Sequence, residues 1–161
     1  MGAGKSTAGR ALAPRLGVPF VDLDEAFEAM AGMTVRQAFE EKGDAWFRER
    51  EAELLRGTAA LPGAVVALGG GTFTFPDNRA VVQRSGLSVF LDVPFDVIAS
   101  RLGPKSADRP LFRSLDDARA LFEARLGSYR LADRSLALSG DEGVDTVVER
   151  IVGVLSVPSG H

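Results

Sequence analysis

A three-layer α/β/α fold on a parallel sheet is predicted by three observations. Apolar runs of strand length alternate along the chain with longer segments of helical period, the pattern of strand–helix units whose helices cover both sheet faces. One run, Ala64-Val65-Val66-Ala67-Leu68, is apolar at every position, as expected of a strand buried on both faces. The chain also opens on Gly2-Ala3-Gly4-Lys5-Ser6-Thr7. Small residues, a lysine and two hydroxyls running into helical sequence make a phosphate cradle at a helix start, where N–H groups and the helix dipole favour an anion. At 161 residues and 45% hydrophobic, residues 1–161 form one domain with enough apolar material for a three-layer core.

The elements follow in order. The first helix runs from the glycine-rich stretch to about Leu16-Gly17. Val18-Pro19-Phe20-Val21-Asp22-Leu23-Asp24 is predicted as a short strand, and a helix over about Glu25–Met30 is broken by Gly32. Thr34-Val35-Arg36-Gln37 has the form of a capping box and opens a helix to about Lys42. Asp44 is expected to cap the next helix, through Trp46 and Phe47 to Leu55. The apolar strand over 64–68 exits into Gly69-Gly70-Gly71, and a helix over about Pro76–Arg84 leads to a strand over 88–93. Pro94 suits the first position of a helix ending near Leu102. Residues 103–114 have loop composition and three basic residues. A helix over Asp116–Tyr129, a weak strand over Leu136–Leu138 and an amphipathic helix over Val144–Leu155 complete the chain.

Composition removes several chemistries. With no Cys, thiol nucleophiles, thiolate zinc sites and disulfides are excluded. The single His is terminal His161, so imidazole catalysis is not expected. A net charge of −3 argues against a nucleic-acid partner bound through a broad basic face. No apolar run approaches the roughly 20 residues of a membrane span, and no signal-peptide pattern is present. The expectation is a cytoplasmic chain without a membrane partner, whose chemistry uses carboxylates, Lys, Arg, hydroxyls or a metal.

Within the cradle, Lys5 would reach the β/γ-phosphates of a nucleotide and the Ser6 hydroxyl would ligate Mg²⁺. The full motif G-x-x-x-x-G-K-[ST] has an earlier glycine that would precede Met1, and an α/β fold expects a strand just before the loop. A start assigned too far downstream, or a clipped chain, is the simpler expectation than a working protein without that strand.

Asp22 and Asp24, two apart on a predicted strand, would project to one side. Asp22 could hold Mg²⁺ through water, and Asp24 could take a hydrogen bond or a proton from a substrate hydroxyl. The alternative is a pair of solvated or helix-capping acids. Arg48 shares a helical line with Ala45, Ala52 and Leu55 that should lean inward, and Glu51 is one turn away to pair with it. An inward arginine suits a carboxylate-bearing substrate, whereas a surface ion pair is the bland reading. Arg125 lies on one face with Leu121, Phe122 and Tyr129, and beside Arg48 suggests two cations on one small acid. The triple glycine at a strand end would bring bare backbone against a ligand, or serve only as a flexible exit. Lys105, Arg109 and Arg113 would belong to a lid that brings Arg109 onto a transferring phosphate, unless 103–114 is only a solvated loop.

Taken together, GAGKST at 2–7, FVDLDEAFE at 20–28, F-R-x-x-E at 47–51, LGGG at 68–71, DRPL at 108–111 and R-x-x-x-Y at 125–129 make the chain resemble the shikimate kinases, within the nucleoside-monophosphate-kinase-like P-loop group. The resemblance implies phosphorylation of the 3-hydroxyl of shikimate by ATP, in aromatic amino-acid biosynthesis, by a monomer. It implies ATP contacts from Gly2, Ala3, Gly4, Lys5, Ser6, Thr7, Arg101 and Arg109, with Arg101 flanking the adenine. It also implies a shikimate site made by Asp24, Arg48, Gly70 and Arg125, with the two arginines on the carboxylate and Asp24 at the reacting hydroxyl. Lys5, Asp24 and Arg109 would be catalytic, and Ser6 with Asp22 would organise Mg²⁺. Residues 25–61 would form the substrate-binding helical segment and 103–114 the lid. The implied sheet is parallel, in the order 2-3-1-4-5, with strand 1 missing from this chain. Ser139–Gly143 lacks the basic residue that members can carry there, so no adenine role is expected of it. The rival readings are a related small-molecule kinase, such as a gluconate kinase, and an inactive nucleotide-binding module.

Overall fold

The computed structural model describes residues 2–102 and 114–158. The elements run α1 (Lys5–Leu16), β1 (Phe20–Asp22), α2 (Leu23–Ala31), α3 (Val35–Glu41), α4 (Asp44–Ala59), β2 (Val65–Ala67), a 3₁₀ turn η1 (Thr72–Thr74), α5 (Pro76–Ser85), β3 (Val89–Asp92), α6 (Phe95–Leu102), α7 (Leu115–Tyr129), β4 (Arg134–Ala137) and α8 (Val144–Leu155). The lid expected over 103–114 lies outside the described residues, except Ser114.

Local chemistry accounts for most boundaries. Gly17, in the left-handed region at φ 68°, closes α1. The capping box is present: the Gln37 N–H donates to Thr34 Oγ1 at 3.1 Å, and the Thr34 N–H donates to Gln37 Oε1 at 2.8 Å. Four details differ from the sequence reading. The first strand stops at Asp22, whose Oδ1 accepts the Glu25 N–H at 3.1 Å and so caps α2. Asp24 therefore sits in the first turn of that helix and does not share a strand face with Asp22. Gly43 is the N-cap of α4, with Asp44 its first residue, because an acid inside the first turn already meets the helix dipole. Pro94 lies just before α6, its carbonyl accepting from Val97 and Ile98. In β2 only Ala67 is fully buried.

That last difference follows from the sheet. The strands form two parallel pairs, β1 with β2 and β3 with β4. Phe20 is in register with Val65, and Val89 with Arg134. Between β2 and β3 lies a cavity of about 480 Å³, and among the described residues β2 has a sheet neighbour on one side only.

Two apolar cores hold the helices and strands together. Phe27, Ala38 and Phe47 tie α2, α3 and α4 together, with the rings of Phe27 and Phe47 edge to face at 4.9 Å. Leu12, Leu91, Val93, Ile98, Phe122, Leu136 and Ile151 represent the second core, which gathers α1, β3, α6, α7, β4 and α8.

Phe27 is 1% exposed at the centre of the smaller core. Phe27→Ala is expected to cost about 3–5 kcal/mol of unfolding free energy, read from the midpoint of a denaturant titration. A loss under about 1 kcal/mol would mean that α2–α4 are held by something else.

Candidate active site

The first component is the glycine-rich start of α1. Gly2 and Gly4 both have positive φ, 55° and 86°, which an L side chain would strain. The turn they make ends in the first intrahelical bond, from the Ala8 N–H to the Gly4 carbonyl at 2.9 Å. A helix beginning this way offers N–H groups and positive dipole charge to an anion. Beside it, the Ser6 hydroxyl donates to Asp22 Oδ2. A hydroxyl and a carboxylate in contact next to a phosphate cradle are hard oxygen donors of the kind Mg²⁺ takes, so the residues fit the ion.

Asp24 is the second component. Burial raises its carboxyl pKa, the neighbouring Asp22 raises it further, and Lys5 opposes them. A desolvated carboxylate beside a lysine is suited to taking a proton from a hydroxyl.

The third is the segment after β2, where glycine is required twice by close approach. A Cβ on Gly69 would lie 2.9 Å from Asp24 Oδ1 and 3.0 Å from Glu51 Oε2, and one on Gly71 would lie 2.5 Å from an Arg48 nitrogen. Side chains from three helices hold the segment. Glu51, from α4 and 3% exposed, accepts from Arg48 on one oxygen and from the Thr72 hydroxyl on the other, both at 2.9 Å. Asn78 of α5 donates to the Thr72 carbonyl at 3.0 Å. The Tyr129 hydroxyl of α7 donates to the Gly70 carbonyl.

Two arginines meet there. Arg48 stands 5.2–5.5 Å from the ring centres of Phe39, Phe47 and Phe75. Its Nε is 3.5 Å from Asp44 and is a buried side-chain nitrogen without a hydrogen bond among the described residues. Its inward lean is not shared along the whole predicted line, because Ala45 is exposed. Arg125 is also desolvated. Burial lowers its pKa first of all, contact with Tyr129 raises it, and Arg48 is near enough to lower it again. Two like charges in a partly buried place, with Glu51 as their near anion, make a setting that suits further negative charge.

The remaining expected residues are distributed more loosely. Arg101 donates to the carbonyls of Gly2 and Gly140, at 3.1 and 2.7 Å, so it ties the phosphate loop to the 139–143 turn. Thr7 is exposed on the first turn of α1. Lys105, Arg109 and Arg113 fall outside the described residues. Lys5 and Asp24 are thus electrostatic neighbours, Asp24 and Arg48 lie against Gly69 and Gly71, and Arg125 is an electrostatic neighbour of Tyr129, Arg48 and Glu51. Sequence reasoning passed over Thr72, Asn78 and Tyr129. Only Tyr129 carried a signal, as the end of R-x-x-x-Y; a threonine and an asparagine near a strand exit have no distinctive spacing.

Comparison with known proteins gives one family throughout. A family model described as shikimate kinase matches residues 1–156. The shikimate kinase of Ruegeria pomeroyi is 38% identical over 159 residues, covering 97% of this chain and 81% of the relative. That of Salinibacter ruber is 40% identical over 165 residues, with the same coverage. Among solved structures, shikimate kinase from Acinetobacter baumannii in complex with shikimate superposes with a TM-score of 0.90 at 31% identity, over 96% of this chain and 88% of that one. The enzyme from Bacteroides thetaiotaomicron superposes with a TM-score of 0.87 at 34% identity, over 98% and 94%. A gluconokinase from Sinorhizobium meliloti, at 18% identity and a TM-score of 0.60 over 97% of this chain and 87% of that one, shares the fold alone.

Two carboxyls should titrate on opposite sides of the ordinary range of about 4. Hydrogen bonds from the Ser139 and Gly140 N–H groups and the Ser139 hydroxyl hold Glu142 down to about 2, whereas burial pushes Asp24 up. Glu142 therefore contributes stability that is present above its unfolded value and lost as pH falls toward 2. Asp24 favours the fold only at low pH, and that contribution disappears as pH rises through its folded value. Carboxyl ¹³C NMR against pH should resolve both, and Asp24→Asn should melt no lower than the parent at pH 7. An Asp24 midpoint below 4 would refute the buried setting.

Proposed function

The chain belongs to the shikimate kinase family, and from that membership we propose how its residues divide the labour of the reaction. The enzyme transfers the γ-phosphoryl group of ATP to shikimate, in aromatic amino-acid biosynthesis. Little covalent chemistry falls to the protein in such a transfer, so its residues act by position and charge.

Arg48 and Arg125 bind the substrate carboxylate, and Gly70 lies against the ring. Asp24 stands at the 3-hydroxyl and accepts its proton as that oxygen forms a bond to the γ-phosphorus and the bond to the ADP oxygen breaks. Gly2, Ala3, Gly4, Ser6 and Thr7 cradle the ATP phosphates, and Lys5 and Arg109 offset charge on the group in flight. Arg101 flanks the adenine. Ser6 and Asp22 hold Mg²⁺, which when bound neutralises phosphate charge. Residues 25–61 act as the substrate-binding segment and 103–114 as the lid of a single domain. No described helix is long and apolar enough to cross a membrane, and we assign the chain to the cytoplasm as a monomer.

The observation carrying most weight is that Asp24 and Arg48 lie against Gly69 and Gly71 while Arg125 is an electrostatic neighbour of Arg48. Arg48→Ala should raise the shikimate KM about 10–100-fold while kcat changes little, the value of a charged hydrogen bond made equally in ground and transition states. Asp24→Asn should instead lower kcat about 10²–10⁴-fold, as for a lost proton acceptor. Arg109→Ala should depress kcat more than it raises either KM. Unchanged kinetics in Arg48→Ala would sink the clamp, and unchanged kcat in Asp24→Asn would sink the base. Gluconate in place of shikimate should give no ADP release.

A further inference from the structure

Resting on the carboxylate clamp proposed above, we infer that Phe75 is a positioning residue for substrate binding, its ring holding the Arg48 guanidinium ready for a carboxylate. Phe39, Phe47 and Phe75 stand 5.2–5.5 Å from the central carbon of that guanidinium. The first two have packing reasons to be where they are. Phe47 is 3% exposed in the core of α2–α4, and Phe39 packs against the same core. Phe75 belongs to neither core and is 39% exposed, so burial of its own surface contributes little to its placement. Its aromatic contact among the described residues is the one with Arg48. An exposed phenylalanine alone is ordinary. One fixed over a cation is a built contact.

The turn that carries Phe75 is pinned. The Thr74 N–H and hydroxyl both donate to the Gly71 carbonyl, at 3.1 and 2.6 Å. Arg79 of α5 donates to the Phe73 and Thr74 carbonyls, at 3.0 and 2.9 Å. Pro76 follows, and a residue before proline is confined to extended backbone; Phe75 has φ −87° and ψ 125°. The Gly71 backbone that anchors this turn is also what the guanidinium lies against, since a Cβ there would come within 2.5 Å of an Arg48 nitrogen. Ring and cation are thus referenced to the same few atoms. Two further restraints on Arg48 come from its own helix: Glu51 accepts from Nη1 at 2.9 Å, and Asp44 stands 3.5 Å from Nε. Phe75 adds one from a different element. A guanidinium is weakly hydrated and stacks on aromatic rings, so this ring both holds the group and displaces water from it. The charged hydrogen bond to a substrate carboxylate is then made in a lower dielectric, with fewer arginine rotamers left to lose.

Steady-state kinetics with shikimate and ATP test this. Phe75→Ala should raise the shikimate KM about 3–30-fold, the worth of a cation–π contact, with kcat within about twofold and the ATP KM unchanged. Phe75→Trp should hold the shikimate KM within about twofold of the parent, whereas Phe75→Leu, apolar but without a ring, should behave as Phe75→Ala does. In an Arg48→Ala background, Phe75→Ala should add less than about twofold. A shikimate KM unchanged by Phe75→Ala would overturn the inference. So would a parental KM in Phe75→Leu, which would mark plain apolar cover, or an equal loss with and without Arg48, which would mean that the ring acts through something else. Arg48→Ala alone separates this inference from the clamp beneath it. If that variant leaves the KM unchanged, clamp and inference fail together; if it raises the KM while Phe75→Ala does not, only the role of the ring fails.

Discussion

A buried carboxylate fixes the geometry on which the rest depends. Glu51 is almost wholly removed from water, and an ionised group so placed persists only when its oxygens are engaged. One is on Arg48 and the other on Thr72. The first bond aims a guanidinium within one helix, and the second ties that helix to the glycine segment. Removing Arg48 would leave the Glu51 carboxylate with only the Thr72 hydroxyl, at a cost in stability. The Glu51 carboxylate thus holds the Arg48 guanidinium in place within its helix.

The glycine segment is also the seam between the two cores. From one side it is touched by Arg48 and Glu51 of α4, whose Phe47 belongs to the aromatic core of α2–α4. From the other it receives the Tyr129 hydroxyl of α7, whose Phe122 belongs to the larger core. Arg48 and Arg125 are thus carried by helices of different cores, and the bare backbone at Gly71 lets Arg48 approach. A Cβ at Gly69 or Gly71 would crowd Asp24, Glu51 and Arg48. The phosphate loop joins the same arrangement through Lys5, which acts on Asp24, and through Ser6 on Asp22.

Much of this was legible in the sequence because it is written locally. The capping box at Thr34, the stop at Gly17 and the helix over Val144–Leu155 each depend on a few adjacent residues, and each is where local chemistry puts it. The Arg48–Glu51 pair followed from helical spacing. Asp22 and Asp24 were misread as strand neighbours because the run Phe20–Asp24 does not reveal that the Asp22 side chain will cap a helix beginning at Leu23. Thr72 and Asn78 were invisible for another reason: their partners are Glu51, 21 positions from Thr72, and a backbone carbonyl, and neither leaves a periodic trace. The run over 64–68 does not by itself reveal the cavity beside β2, since an all-apolar run reads the same whether one edge is paired or two.

The central claim is that Arg48 and Arg125 act on one carboxylate from two separately packed helices. A double-mutant cycle on shikimate binding, by calorimetry of the parent, Arg48→Ala, Arg125→Ala and the double variant, tests it most directly. A shared carboxylate predicts a coupling of about 0.5–3 kcal/mol between the two substitutions. Additivity to within about 0.3–0.5 kcal/mol would assign the arginines to separate groups and contradict the account.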